Sequence, residues 1–217
     1  NNEMKTHCQK VFRNYKNERE KNISWENIIS TKSHLVVFYY ALIREVKPFS
    51  ILETGTASGS ATKFLLLALQ KNNYGSLTSI DLPPIEGKLT MGMTLSRENI
   101  GYWIPDSCKK FWNYIEGDAK EILNEKLISA KTDLFIHDYL HSASHMAFEY
   151  RVARNILKPD AIILSDDVLY WNDSFYDFCR EHNLKGYSPI SNPNFGICIN
   201  KYDNSEIEYS QLAKFNN

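Results

Sequence analysis

Four polar clusters each follow a short apolar run: Glu53-Thr54-Gly55-Thr56-Ala57-Ser58-Gly59-Ser60, then Asp81, then His137-Asp138-Tyr139-Leu140-His141, then Ser165-Asp166-Asp167. A glycine turn lets a ligand approach the backbone closely, because glycine has no side chain to exclude it. The pattern here is Gly-x-x-x-Gly rather than the dinucleotide pattern Gly-x-Gly-x-x-Gly, and Glu53 precedes the first glycine by two positions. A pyrophosphate is repelled by a neighbouring carboxylate, whereas a cationic, phosphate-free ligand is attracted. Asp81, ending the next apolar run, can accept two ribose hydroxyls, as would serve any adenosine ligand. The plainer alternative is that Gly55 and Gly59 only shape a tight turn and Asp81 only caps a loop.

Asp138, Asp166 and Asp167 would share a hard divalent cation, Mg²⁺ or Mn²⁺, if their strand ends are neighbours. His137 adds a softer donor, and Asp166 has a metal-free alternative in hydrogen bonding a helix N-terminus. His141 is the leading general-base candidate, since its ordinary pKa of about 6.5 suits deprotonating a hydroxyl near neutral pH. Asp138 is the second choice, and a helix-start hydrogen-bonding role for His141 competes with the first. His141 and His145 share one helix face, but no Glu follows the first as a metalloprotease helix requires. His145 reads as structural or surface.

Positioning these groups requires alternating elements. The spacing of Leu35, Tyr39, Leu42 and Val46 predicts a helix over 33–46, stopped by Pro48. A strand follows at 50–53, then a helix over 60–70 with Ser60 as its N-cap, a turn at 72–75 and a strand at 76–80. A strand at 114–116 runs into Gly117-Asp118, with Asp118 capping a helix to about 130. Then come a strand at 133–136, a helix over 142–157, a strand at 161–164, a helix over 174–182 and a hairpin of 186–190 with 195–199. Repeated strand–helix units imply a doubly wound, mostly parallel α/β sheet with an antiparallel C-terminal hairpin. Ligands bind such sheets beyond the carboxyl ends of the strands, where Glu53, Asp81, Asp118, His137, Asp138, Asp166 and Asp167 should converge. Residues 1–32 read as a peripheral helical segment and 33–217 as the domain. Segment 82–110 reads as an inserted lid or acceptor loop. Its Met91, Met93, Tyr102 and Trp103, with Phe111 and Trp112 beyond, either line a ligand pocket or pin the loop as a satellite cluster.

Composition removes several classes. The 217 residues are 43% hydrophobic and 24% charged, ordinary for a folded domain, and the net charge of −1 offers no basic excess for nucleic acid or an anionic membrane. The longest near-continuous apolar run, 34–43, is half of the ~20 residues a membrane span needs. No charged-then-apolar leader opens the sequence, and Asn1 leaves room for a removed one. Four scattered cysteines without a Cys-x-x-Cys pair fit a reducing, cytoplasmic setting.

The turn LETGTASGS, Asp81, EGDAKEIL and the FIHDYLH…ILSDDV pair resemble class I S-adenosylmethionine-dependent methyltransferases. More narrowly, they resemble a small-molecule subgroup with His-Asp-x-x-His and Asp-Asp-Val motifs, and the stretch Ile100-Gly101-Tyr102-Trp103-Ile104-Pro105 also resembles that subgroup's loop. The resemblance spans about 33–199 and implies a seven-stranded Rossmann-like sheet. It places Glu53, Gly55, Thr56, Ser58, Gly59 and Ser60 around the methionine part of the cofactor and Asp81 on the ribose. Asp118 and Ala119 would border the adenine, and His137 and Asp138 would face the methyl group. Asp138, Asp166 and Asp167 would be metal or acceptor ligands. Two departures stand out: Lys158-Pro159-Asp160-Ala161 occupies a turn where relatives have Gly-Gly, and His137 precedes Asp138 where catechol-type relatives place the metal-ligating Asp first. The implied reaction is O-methylation of a small hydroxylated molecule by an enzyme free to form homo-oligomers. An NAD-dependent oxidoreductase and a non-catalytic cofactor-binding module are the competing readings.

Overall fold

The computed structural model of the chain describes residues 33–82, 89–90, 93–94, 97–123, 131–169, 172–189 and 192–200. The expected 1–32 segment, Met91 and the continuation of the helix after Asp118 lie outside them. The elements in chain order are α1 (Ser33–Val46), β1 (Ser50–Thr54), α2 (Thr62–Asn72), β2 (Ser76–Asp81), β3 (Leu89–Thr90), β4 (Met93–Thr94) and β5 (Trp112–Glu116). They continue with α3 (Ala119–Ile122), β6 (Thr132–His137), α4 (Ala143–Ile156), β7 (Leu157–Ser165), α5 (Ser174–Glu181), β8 (Gly186–Tyr187) and β9 (Gly196–Ile199).

Seven strands form one sheet in the order β5-β2-β1-β6-β7-β9-β8. The first five are parallel, and β9 pairs antiparallel with both β7 and β8. This is the predicted doubly wound sheet with its antiparallel end. The period-two alternation of side chains divides the core into two layers. Ile51, Leu77, Leu134, Ile136 and Leu164 pack with α1 and α2. Their neighbours Leu52, Ile80, Phe135 and Ile163 pack with α3, α4 and α5.

Several boundaries differ from expectation for local reasons. Helix α1 ends as predicted, with Lys47 left-handed (φ 50°) before Pro48. Ser60 does not cap α2. The helix begins after Ala61 without a side-chain cap, and the Lys63 N–H is met by the Gly59 carbonyl at 2.9 Å. Strand β7 begins at Leu157, and within it Asp160 is left-handed (φ 64°), so Asp supplies the backbone state that Gly commonly provides. Segment 82–110 carries more structure than a bare loop: the β3–β4 ladder and 3-10 turns at Arg97–Asn99 and Asp106–Phe111.

Candidate active site

The carboxyl ends of β1, β2, β6 and β7 meet at one rim. After β1, Gly55 (φ 89°), Ala57 (φ 46°) and Gly59 (φ 80°) turn the chain back into α2. A β-carbon at Gly55 would collide with the Asp138 carbonyl, so only glycine permits the β1 and β6 exits to pack this closely. Asp81 Oδ2 accepts the Thr56 and Ala57 N–H groups at 2.9 and 2.6 Å. Burial pushes its carboxyl up, opposed by the N–H groups of Ala57, Thr56 and Leu82. The Thr56 hydroxyl is buried without a hydrogen-bond partner among the described residues.

Segment 97–105 docks on this turn. Gly101 N–H donates to the Ala57 carbonyl and Trp103 N–H to the Ser58 carbonyl, each at 3.0 Å, while Ile104 is buried beneath. Tyr102 and Trp103 pack edge to face, largely exposed beside the turn. The glycine turn and the aromatic loop thus form one structural unit.

Glu53 does not project to the rim surface. Alternation along β1 directs it into the α1–α2 layer, where Ser79 Oγ donates to it at 2.6 Å and Thr62 Oγ1 at 3.0 Å. Trp112 Nε1–H donates in turn to Ser79 Oγ at 2.9 Å. Burial raises the Glu53 carboxyl to about 8; the Ser79 and Thr62 hydroxyls oppose the rise, and the charges of Asp138 and Asp81 add to it. The same layer holds Tyr39, whose buried hydroxyl has no hydrogen-bond partner among the described residues. Burial, then Asp138, Asp166 and Glu53, hold that phenol well above its ordinary value.

On the β6 and β7 side, the Asp138 N–H donates to the Thr54 carbonyl at 2.9 Å and the Asp166 N–H to the His137 carbonyl at 3.0 Å. These bonds extend the parallel ladder past the strand ends and hold the two acidic turns side by side. His141 Nε2 lies 3.5 Å from Asp167 Oδ2 and 4.0 Å from Asp138 Oδ1. Asn194 donates to Asp167 Oδ1 at 2.6 Å, and Asn172 Nδ2 donates to the His141 carbonyl at 3.1 Å.

One placement departs from the sequence reading. His137 and Asp138 are adjacent in the chain, but only Asp138 keeps partial exposure at the rim. His137 is fully buried toward α4, its Nδ1 at 2.6 Å from Glu149 Oε2. Among the described residues no group of three or more His, Cys, Asp or Glu side chains is arranged to hold a metal ion. One Asp167 oxygen is committed to Asn194, and the other faces an imidazole. Asp118 takes the capping role expected of it, accepting the Lys120 N–H at 2.8 Å, and Ala119 is buried behind it. Ser58 and Ser60 stay at the outer side of the turn, half-buried and exposed.

Sequence reasoning missed Glu149. Its fully buried carboxylate accepts from Thr54 Oγ1 at 2.6 Å and faces His145 Nε2 at 2.8 Å as well as His137. Burial raises this carboxyl, but hydrogen bonds from His137 and His145, the charge of His137 and the Thr54 hydroxyl outweigh it and hold it at about 2. The His145 to Glu149 spacing of one helical turn carried the signal. No helix among the described residues is long and apolar enough to cross a membrane.

A protein-family profile described as "Methyltransferase domain" matches residues 52–168, from β1 through the Asp-Asp-Val turn. Solved structures share the fold at low identity. A candidate caffeoyl-CoA O-methyltransferase from Staphylococcus aureus is 16% identical over 87% of this chain and 98% of its own, with a TM-score of 0.62. An O-methyltransferase from Bacillus cereus in complex with SAH is 13% identical over 89% and 90%, TM-score 0.56. TomG from Streptomyces achromogenes, an O-methyltransferase of tomaymycin synthesis solved with SAM, is 15% identical over 88% of each chain, TM-score 0.54. No curated protein matches the chain.

Proposed function

The chain belongs to the methyltransferase-domain family, and from that premise we propose that it moves a methyl group from S-adenosylmethionine to a hydroxyl of a small molecule. The observation that carries this reading is the meeting, at one rim, of the glycine turn closed by Asp81 and the His141–Asp167–Asp138 group. The carboxylates of that rim suit a cationic, phosphate-free cofactor and oppose a pyrophosphate, which disfavours the NAD reading. The O-methyltransferase names of the fold neighbours from Bacillus cereus and Streptomyces achromogenes support a hydroxyl acceptor.

In this reading Gly55, Thr56 and Gly59 border the methionine part, with the unpartnered Thr56 hydroxyl available to it, and Glu53 acts on it from the layer beneath through its charge. Asp81 exchanges its two backbone N–H donors for the ribose hydroxyls, and Asp118 and Ala119 border the adenine. When bound, the cofactor supplies an electrophilic methyl on sulfur with a neutral leaving group, so the protein's main task is alignment. His141 takes the acceptor's proton, with Asp167 and Asp138 stabilising the imidazolium that results. No step is assigned to a metal.

Calorimetry with S-adenosylmethionine, S-adenosylhomocysteine and NAD tests the reading. Binding of the first two is expected, lost in Asp81→Ala and unchanged by Mg²⁺ or chelator. NAD binding alone would overturn it. His141→Ala is expected to keep cofactor affinity while lowering S-adenosylhomocysteine formation on a panel of hydroxylated acceptors; undiminished turnover would remove His141 from the base role.

A further inference from the structure

The Glu149 cluster lies outside the rim yet touches it through one ring. An ionised carboxylate only accepts hydrogen bonds, so His137 Nδ1, His145 Nε2 and the Thr54 hydroxyl must each present a proton to Glu149. Oε2 takes His137 and Thr54, and Oε1 takes His145. Glu149 and His145 come from α4, Thr54 from the end of β1 and His137 from the end of β6, so one carboxylate ties three elements together beneath the rim. His137 Nε2 has no hydrogen-bond partner among the described residues. Its ring is therefore oriented from one end by Glu149 and wedged between Tyr150 (centroids 5.6 Å) and His141 (5.3 Å, interplanar angle 88°). The two histidine rings meet at right angles, so the orientation of one constrains the other.

We propose that Glu149 is a positioning residue for methyl transfer: it holds the Nδ1 proton and the orientation of His137, and the His137 ring in turn sets the orientation of His141 between Asp138 and Asp167. This rests on the reading of His141 as the base. A carboxylate orienting an imidazole is a recurrent way to pre-organise a proton acceptor; here the orientation passes through a second imidazole by packing. Two positions next to each other in the chain thereby divide the work, with Asp138 at the rim and His137 as its buried backing.

The test uses ligand-free full chain labelled with ¹⁵N-histidine, as wild type, Glu149→Gln and His145→Asn. The wild type is expected to show a far-downfield, exchange-protected proton on His137 Nδ1 and one ring state for His141. Glu149→Gln should lose that proton and shift or split the His141 ring signals. His145→Asn, which withdraws the imidazole donor from the other oxygen, should leave the His141 signals in place. Unchanged His141 signals in Glu149→Gln, or an equal disturbance in His145→Asn, would overturn the proposal. Should Glu149→Gln fail to fold, Thr54→Val removes the second donor from Oε2 and is expected to move the His137 proton; an unmoved resonance would overturn it equally. With any acceptor the wild type methylates, Glu149→Gln should lower kcat and leave the cofactor KM unchanged. Calorimetry on the same wild-type sample separates the failures: no S-adenosylmethionine binding refutes the methyltransferase reading while the histidine spectra still decide the role of Glu149.

Discussion

Glu53 is mostly protonated at neutral pH, since its carboxyl is raised to about 8 by burial and by the charges of Asp138 and Asp81. A sulfonium bound at the rim above it would favour the ionised form, so S-adenosylmethionine binding at pH 7 is expected to release a proton that neutral S-adenosylhomocysteine releases less fully. Calorimetry in buffers of different ionisation enthalpy reads this directly, and Glu53→Gln should abolish the difference. Glu149 has the opposite shift. Its folded carboxyl is held near 2, so its contribution to stability is full above the range of an unfolded carboxyl and is lost as pH falls toward 2. Glu149→Ala strands buried histidines and should cost about 3–5 kcal/mol at pH 7 in denaturant titration. Tyr39→Phe removes a buried hydroxyl with no partner among the described residues, and a gain of about 1 kcal/mol is expected. A loss instead would mean that the hydroxyl is used. Glu149 and Tyr39 show where local reading stopped: one resembled an ordinary helical carboxylate, the other an ordinary core aromatic.

The glycine turn is the element whose geometry is least tolerant. Gly59 is left-handed, and a β-carbon there would sit 2.9 Å from Gly101 Cα, against the docked aromatic loop. Gly59→Ala is therefore expected to cost more than about 1 kcal/mol, read as a lowered Tm, and to weaken cofactor binding by loosening the 97–105 segment as well as the turn. Unchanged melting and binding would show that the loop docks independently of the turn. The capping residues divide by the same local logic. Asp118 caps α3 because its side chain reaches the Lys120 N–H, a contact set by nearest neighbours and so legible in sequence. Ser60 resembles a cap equally well, but the tight turn brings the Gly59 carbonyl to the Lys63 N–H and leaves Ser60 outside the helix start.

Across the whole molecule, the alternation of apolar runs and amphipathic segments determined the element order, the parallel sheet with its antiparallel end and the rim at which its polar strand ends meet. These follow from chain-local physics: a period of two or 3.6, proline and glycine stops, and right-handed crossovers. The motif read His137 and Asp138 as a pair facing the methyl group, whereas His137 is fully buried against Glu149. Which groups far apart in sequence share a buried space is set by the closed core. Glu149 meets Thr54 and His137, Asn194 meets Asp167, and the 97–105 segment meets the glycine turn. The physical reason is that a buried polar group must find its partner wherever packing brings one, and packing is a property of the closed core rather than of any window along the chain.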